Sequence, residues 1–284
     1  MKHTARLSAV VITLNSAATL KRCLESLSFA DEVIVLDGGS SDQTQMIARD
    51  CGARVFENSD WLGFGAQKNR ALDLSSHNWI LLLDSDEWFE VDAAQEIRRV
   101  IKESEKPTAN SVGDPSIKAP SASVALSDTK PLAYRLRRRS RYLGEVVRHS
   151  GWWPDHVTRL FQRDAARYSE DWVHERLLLR EPKRIGTLRA IIEHDAVMSV
   201  EQVLGKTNRY SSLSAKQMHA AGRSASVRLA IAKGLWAFVR TYLFQLGFLD
   251  GRVGFLIAFH SAETTFYRYL KLWEVTESKD AASP

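Results

Sequence analysis

The chain has 284 residues, of which 44% are hydrophobic and 26% charged, and its formal net charge is +5. That length and apolar content can fill a complete core, so disorder is not the expected state. The whole chain is not especially polycationic, but Arg is concentrated at 135–141, where the run Arg137-Arg138-Arg139 reads as a solvated or phosphate-facing surface and is the one stretch that suggests nucleic-acid binding.

Cys23 and Cys51 lack metal-ligand spacing and read as buried thiols of a reducing compartment. No secretory signal is visible at the start. The apolar stretches at 235–249 and 253–259 are cut by Arg240, Gln245, Asp250 and Arg252, so no transmembrane span is expected.

Residues 7–13 are a compact β-branched apolar run, and after Asn15 and Ser16 the residues Leu20, Cys23, Leu24 and Leu27 recur at helical spacing. A buried strand feeding an amphipathic helix is predicted. The pattern repeats with a strand at 33–36 ending on Asp37, a Gly38-Gly39-Ser40-Ser41-Asp42 turn and a helix at 43–50. A strand at 53–56, a helix at 65–74 and a strand at 79–83 follow, the last ending on Asp84-Ser85-Asp86. Strands without polar alternation, separated by helices, predict a parallel sheet covered on both faces. Ligands in such sheets bind beyond the carboxyl ends of the strands, where Asp37 and Asp84 arrive.

A helix is predicted at 92–102, with Ala93, Ile97, Val100 and Ile101 on one face. Residues from about 104 to 130 are rich in Ser, Pro, Ala, Lys and Asp without periodicity and read as a flexible insertion. Strand signals return at 132–136, 157–161, 177–179 and 188–192, which predicts a mixed second half. From Ser199 helix dominates, and 227–248 and 253–273 mix aromatics and Leu with Arg and Lys. That composition suits a surface on lipid headgroups, with Trp236, Phe238, Phe244 and Trp273 in the interface and Arg228, Lys233 and Arg240 toward the headgroups. The expected division is a catalytic domain at 1–198 and a helical region at 199–284.

Two carboxylates one residue apart at a strand end, Asp84 and Asp86, can reach one hard divalent cation bridged to a diphosphate. A bare D-x-D also serves as a solvated turn or helix cap, and its place after repeated αβ units is what favours the metal reading. Asp37 and its glycine turn let a ligand approach the backbone, while Asp42 suits capping. Gln67-Lys68-Asn69-Arg70 can meet phosphate, or Arg70 can simply lie on a solvated face. His174-Glu175 offers a metal or diphosphate contact and a general base; His194-Asp195 is a weaker version of the same dipeptide. Trp152 and Trp153 can stack on a sugar or fill core.

Taken in order, Val11-Ile12-Thr13-Leu14-Asn15, Asp37-Gly38-Gly39-Ser40-Ser41-Asp42-Gln43-Thr44, Gln67-Lys68-Asn69 and Leu82-Leu83-Asp84-Ser85-Asp86-Glu87 resemble glycosyltransferase family two, the inverting GT-A enzymes. Tyr142-Leu143-Gly144, Gly151-Trp152-Trp153-Pro154-Asp155, Arg159-Leu160-Phe161 and Val173-His174-Glu175 are similar to the lipopolysaccharide core glucosyltransferases that add β-linked glucose to inner-core heptose. The resemblance covers nearly the whole chain except 104–130; Ser85 stands where the family often has Ala.

The resemblance implies a GT-A, Rossmann-like mixed sheet with helices on both faces, followed by a C-terminal helical membrane-associating region. It implies that Thr13, Asn15 and Asp37 contact the nucleoside, Lys68 the phosphate region, and Asp84, Ser85 and Asp86 the ribose-diphosphate. Mg²⁺ or Mn²⁺ would sit on Asp86 directly, with Asp84 and His174 nearby. Glu175, rather than Asp171, would be the base, and Trp152, Trp153, Asp155 and Arg159 are acceptor-side candidates. The expected reaction moves a hexose from a UDP-sugar, UDP-glucose being the best single choice, onto inner-core heptose or a similar glycolipid. It would occur at the inner face of the bacterial cytoplasmic membrane, with no nucleic-acid partner. Transfer to polyprenyl phosphate is the alternative acceptor. A non-catalytic Rossmann-like nucleotide binder is the alternative class, disfavoured because Thr13-Leu14-Asn15-Ser16 stands where a G-x-G-x-x-G would follow the first strand.

Overall fold

In the computed structural model, which describes residues 6–90, 92–105, 130–169, 175–182 and 184–280, Leu7–Thr13 form strand β1, buried at every position. Leu7, Ala9 and Val11 pack into one hydrophobic cluster, while Val10 and Ile12 pack into another. Successive side chains of a strand point to opposite faces, so a strand covered on both sides needs apolar residues throughout. Strands β2 (Glu32–Asp37), β3 (Arg54–Glu57) and β4 (Trp79–Asp84) join it in parallel, with β1 between β2 and β4 and β3 outside β2.

Helices α1 (Leu20–Ser26), α2 (Thr44–Asp50) and α3 (Phe64–Asp73) connect these strands, and α4 (Ala93–Glu105) follows them. Leu20 and Leu24 of α1 and Ile97 and Ile101 of α4 fill the first cluster; Ala71 and Leu72 of α3 fill the second. The register sets Thr13 beside Asp37 and Ile12 beside Asp84, so the acidic strand ends share one edge of the sheet.

Seven further strands complete the β structure: β5 (Glu87–Phe89), β6 (Ala133–Tyr142), β7 (Glu145–Val146), β8 (Asp155–Gln162), β9 (Ala166–Tyr168), β10 (Leu177–Leu179) and β11 (Ile185–Val197). The main sheet runs β3-β2-β1-β4-β8-β6-β11-β5, and β9 and β10 form a separate antiparallel pair. Because β8 is antiparallel to β4, the second half is mixed, as its scattered strand signals predict.

Several details differ from the expectation. β6 and β11 are 10 and 13 residues long, where only five-residue cores were legible, because their Arg-rich and polar positions alternate instead of running apolar. β5, β7 and β9 are too short to carry a period. Cys23 is buried, but Cys51 is exposed: it caps the C-terminus of α2, where the chain turns at the surface. The expected insertion lies, apart from its ends, outside the described residues.

The chain divides into two compact units, one comprising Met1–Arg138 and His156–Glu193 and the other Arg139–Asp155 and His194–Pro284. In the second unit, α5 (Val200–Ala220) and α6 (Val227–Val239) begin at Ser199 and Ser226, whose hydroxyls accept from the backbone N–H of Gln202 and Leu229. Such caps satisfy orphan donors of the first turn. A π-helical turn (Arg240–Phe244) and a 3-10 turn (Gly247–Asp250) lead into α7 (Gly251–Asp280). Gly254 allows this turn to close, since a Cβ there would lie 1.7 Å from the Gly247 carbonyl oxygen. Lys271 of α7 donates to the Asn208 carbonyl and to Ser211 and Ser212 of α5. Phe238 and Trp273, expected at a lipid interface, are half-buried; Phe238 packs on Tyr242 and Phe255 at 5.5 and 5.7 Å. Trp236 and Phe244 are exposed. Among the described residues no single helix is long and apolar enough to cross a membrane, though one bent pair, Val227–Phe244 with Gly247–Glu277, reaches that length and composition together.

Glu32 of β2 shows how the first unit depends on ionisation. Its side chain, 8% exposed, accepts from Ser8 Oγ, Ser76 N and Ser76 Oγ at 2.6, 2.9 and 2.8 Å and pairs with Arg54. Burial opposes its charge, but these bonds outweigh burial and bring its pKa from 4.5 down to about 2. A depressed carboxyl pKa stabilises the fold above the unfolded-state value and loses that contribution as pH falls through the folded value. Glu32→Gln is therefore expected to cost roughly 2 kcal/mol at neutral pH, with the gap to wild type closing between pH 4.5 and about 2. Urea unfolding across that range checks it; a gap independent of pH would refute the assignment.

Candidate active site

The site builds outward from Lys68, on α3. Its ammonium lies 3.1 Å from Asp84 Oδ1 and 2.8 Å from Glu175 Oε1, while its side chain is only 4% exposed. A buried ammonium is held by anionic partners. Burial alone would lower the Lys68 pKa, but Asp84 foremost raises it above the ordinary value. The Tyr168 ring lies 5.2 Å from the same nitrogen. The polar neighbours of Lys68 on α3 anchor flanking segments. Gln67 donates to the Asn58 carbonyl, Asn69 exchanges two hydrogen bonds with the Tyr168 backbone, and Arg70 pairs with Asp60 at 2.9 Å. Arg70 thus ties down a loop instead of lying on an open solvated face.

Asp84 takes a second cation. Arg159 Nη2 lies 2.5 Å from Asp84 Oδ2 and 2.6 Å from Glu87 Oε1, and Arg138 Nη1 reaches the same Glu87 oxygen at 3.0 Å. The other Glu87 oxygen accepts from the Asp84 backbone N–H at 3.1 Å. Desolvation opposes ionisation of Asp84, yet Arg159 and then Lys68 hold its carboxyl well below the usual range. For Arg159 burial works against the charge, and Asp84 and Glu87 more than restore it. The result is an alternating chain from Glu175 through Lys68, Asp84, Arg159 and Glu87 to Arg138.

Glu87 and Arg138 are the members that the sequence does not reveal. Glu87 stands in the same motif as Asp84 and Asp86, but its strand is three residues long; Arg138 lies in a run of three arginines that reads as surface. In the fold Glu87 is completely buried. Arg159, grouped by sequence with the acceptor side, stands with the acidic strand end.

Around the nucleotide-side candidates the backbone turns tightly. Asn15 adopts φ 50°, and its Oδ1 accepts from Ser41 N at 2.9 Å. Asp37 is fully buried, and its oxygens accept from Gly39 N, Ser40 N, Ser40 Oγ and Gln45 Nε2. Its carboxylate shapes the loop from within. Thr13 Oγ1 is buried without a hydrogen-bond partner among the described residues, a polar atom that a bound molecule would satisfy. Asp42, one residue ahead of the Gln43 cap position, accepts from Thr44 N at the start of α2. Ser85 Oγ donates to Ser16 Oγ at 2.9 Å.

Gly65 allows the segment bearing Glu175 to approach α3. A Cβ there would sit 1.8 Å from the Ser169 carbonyl oxygen and 3.4 Å from Glu175 Cβ. His174 and Asp171 lie outside the described residues. Among the described residues no three His, Cys, Asp or Glu side chains form a metal cage. Asp84 and Asp86 offer oxygen donors only, a set that fits a hard divalent ion taking its remaining ligands from phosphate and water.

The other candidates belong to the second unit. Trp152 and His194 line a cavity of about 230 Å³ with Lys206, Tyr210 and His260, and His194 Nδ1 is 2.9 Å from Ser140 Oγ. Trp153 lines a different cavity with Arg148 and Phe244. Asp155 opens β8.

Arg159→Met is expected to cost about 2–3 kcal/mol in urea unfolding at neutral pH, because it removes the cation shared by Asp84 and Glu87 and leaves each with a single partner, Lys68 and Arg138. A loss below about 1 kcal/mol would show that the chain of charges is not held together by Arg159.

Residues 8–154 match the model of glycosyl transferase family 2. An uncharacterised glycosyltransferase of Rickettsia bellii is 27% identical over 96% of this chain and 88% of its own length. The lipopolysaccharide core biosynthesis glycosyltransferase LpsC of Rhizobium meliloti is 28% identical over 93% of each. Among solved structures, the Staphylococcus aureus TarS fragment 1–349 with UDP is 16% identical over 96% of this chain and 92% of that one, with a TM-score of 0.42. Mycobacterium tuberculosis glucosyl-3-phosphoglycerate synthase with Mn²⁺, UDP-glucose and phosphoglyceric acid is 33% identical over 30% of this chain and 35% of that one, with a TM-score of 0.28. With the family model spanning more than half of the chain, and with the motifs it covers gathered at one edge of a GT-A-type mixed sheet, this chain belongs to glycosyltransferase family 2.

Proposed function

We propose that the chain is an inverting, metal-assisted hexosyltransferase that uses a UDP-sugar, UDP-glucose by preference, and modifies lipopolysaccharide inner-core heptose or a similar glycolipid at the inner face of the bacterial cytoplasmic membrane. The observation that carries the reading is Lys68, buried between Asp84 and Glu175. It joins the acidic end of β4, where a nucleoside diphosphate would be held, to a carboxylate suited to proton removal. The acceptor class draws support from the full-length similarity to a relative named for lipopolysaccharide core biosynthesis.

In this reading Thr13, Asn15 and the loop shaped by Asp37 receive the nucleoside. Lys68 has three N–H donors, one more than its two carboxylate partners take, and turns toward the diphosphate. Asp86 is the direct ligand of Mg²⁺ or Mn²⁺, with Asp84 beside it and His174 as a further ligand. When bound, the ion stabilises negative charge on the leaving diphosphate. As phosphate competes for Lys68, Glu175 is released to accept the proton of the acceptor hydroxyl. That oxygen bonds to the anomeric carbon from the face opposite the leaving group while the bond to UDP breaks, inverting the configuration. Trp152, Trp153 and Asp155 remain the acceptor-side candidates.

Asp86→Ala is expected to abolish transfer with an unchanged circular dichroism spectrum; near wild-type transfer by this variant, or in chelator-treated buffer, would sink the metal reading.

Glu175→Gln is expected to lower kcat by about 10²–10⁴ while UDP-sugar affinity is nearly retained, because the amide keeps the shape but takes no proton. Asp171→Asn should cost far less. A single-turnover assay that ranks the two variants in reverse would move the base to Asp171, and radiolabel appearing on polyprenyl phosphate instead of core lipid A would change the acceptor.

A further inference from the structure

The second unit carries an exposed basic and apolar surface to which the chemical step proposed above gives no role, although Phe244 at its edge also lines the cavity of Trp153. Between Glu201 and Asp250 the sequence contains no Asp or Glu but seven Lys and Arg residues. All seven, from Lys206 to Arg240, are exposed. Within the same stretch Leu235, Trp236, Leu243, Phe244, Phe248 and Leu249 are also exposed, Phe244 at 69% and Trp236 at 54%. Exposed apolar side chains gathered this densely mark a surface that meets something other than water. They cluster at a break: the chain bends by 71° between α6 and α7, and Leu246 sits in the left-handed region at φ 57°. Trp236 and Phe244 approach each other at 5.7 Å, which brings the end of α6 onto the bend.

We propose that α6 and the bend at 240–250 insert as a one-sided wedge into the interfacial layer of an anionic lipid bilayer, with Leu243, Phe244, Phe248 and Leu249 among the acyl chains and Arg228, Lys233 and Arg240 at the headgroups. This deepens the inner-leaflet reading above by naming its element, and it does not require the transfer chemistry. Charge selects the occupant. A second copy of this chain would bring one acid-free basic stretch against another, whereas anionic phosphates neutralise it. Geometry selects the mode. The helix α6 has 13 residues, too few for a straight span that needs about 20, and the 71° bend that follows it is where the exposed Leu243, Phe244, Phe248 and Leu249 gather. Apolar tips with long cations beside them are the pattern of a helix lying in the interface, where Arg and Lys keep their charges in water.

The test uses the full chain without substrates. Flotation with phosphatidylglycerol-rich vesicles should retain the protein, while pure phosphatidylcholine vesicles retain it at least about tenfold less well. The double substitution Phe244→Glu and Phe248→Glu should reduce binding to anionic vesicles by a similar factor with the circular dichroism spectrum unchanged. Should that variant misfold, brominated acyl chains provide the second measurement: they should quench wild-type fluorescence, and less so in Trp236→Phe. Absence of vesicle binding, unchanged binding by a folded double variant, or quenching insensitive to Trp236 overturns the proposal. So does light scattering that finds a wild-type dimer made monomeric by the double substitution, which would assign the surface to a second copy. Glu175→Gln should bind vesicles like wild type, so failure of the catalytic reading and failure of this one give different results.

Discussion

The acidic end of β4 and the carboxylate of Glu175 are held together by the burial of Lys68. An ammonium removed from water costs several kcal/mol unless carboxylates surround it, and this one recruits Asp84 and Glu175 from positions 16 and 107 residues away. The requirement propagates. Asp84, partly desolvated itself, takes Arg159; Arg159 needs Glu87; Glu87, with no exposure, needs Arg138. Each charge is tolerated because the next one is present, so the positions of strands β4, β5, β6 and β8 and helix α3 are tied together by electrostatics as well as by packing.

Such a chain of charges favours preorganisation over bulk stability. Apolar replacements of similar volume would stabilise a core as well or better. What the ionic arrangement adds is a set of oxygens and nitrogens placed before a ligand arrives, so that in the proposed reaction only the Lys68–Glu175 pair has to open. Gly65 serves the same end: the bare α-carbon lets the backbone near Ser169 lie against α3, and Glu175 is carried into range of Lys68.

The parallel half of the fold was legible because burial on both faces leaves an unmistakable trace, an apolar run that stops at an acidic residue. Asp37 and Asp84 were found at strand ends for that reason. Glu87 and Arg138 were hidden: their meaning lies in a contact 51 residues apart, between a strand too short for periodicity and an arginine run that resembles solvated surface. The pairing of Lys68 with Glu175 spans still more chain, and no local pattern announces it. Asp37 shows a role that the motif alone does not display. Its place in the motif identified an important residue, yet its carboxylate is spent on four bonds within its own loop and its neighbourhood.

The alternation along β1 has its own consequence. Leu7, Ala9 and Val11 belong with α1 and α4, whereas Val10 and Ile12 belong with α3, so one short strand is two interleaved words addressed to different readers. Substitutions in contact couple energetically, while those without shared partners add. Compensating changes should therefore pass between β1 and its two helical layers in strict parity. Drift at an odd position is answered from α1 or α4, drift at an even one from α3, and a one-residue insertion would scramble both correspondences at once.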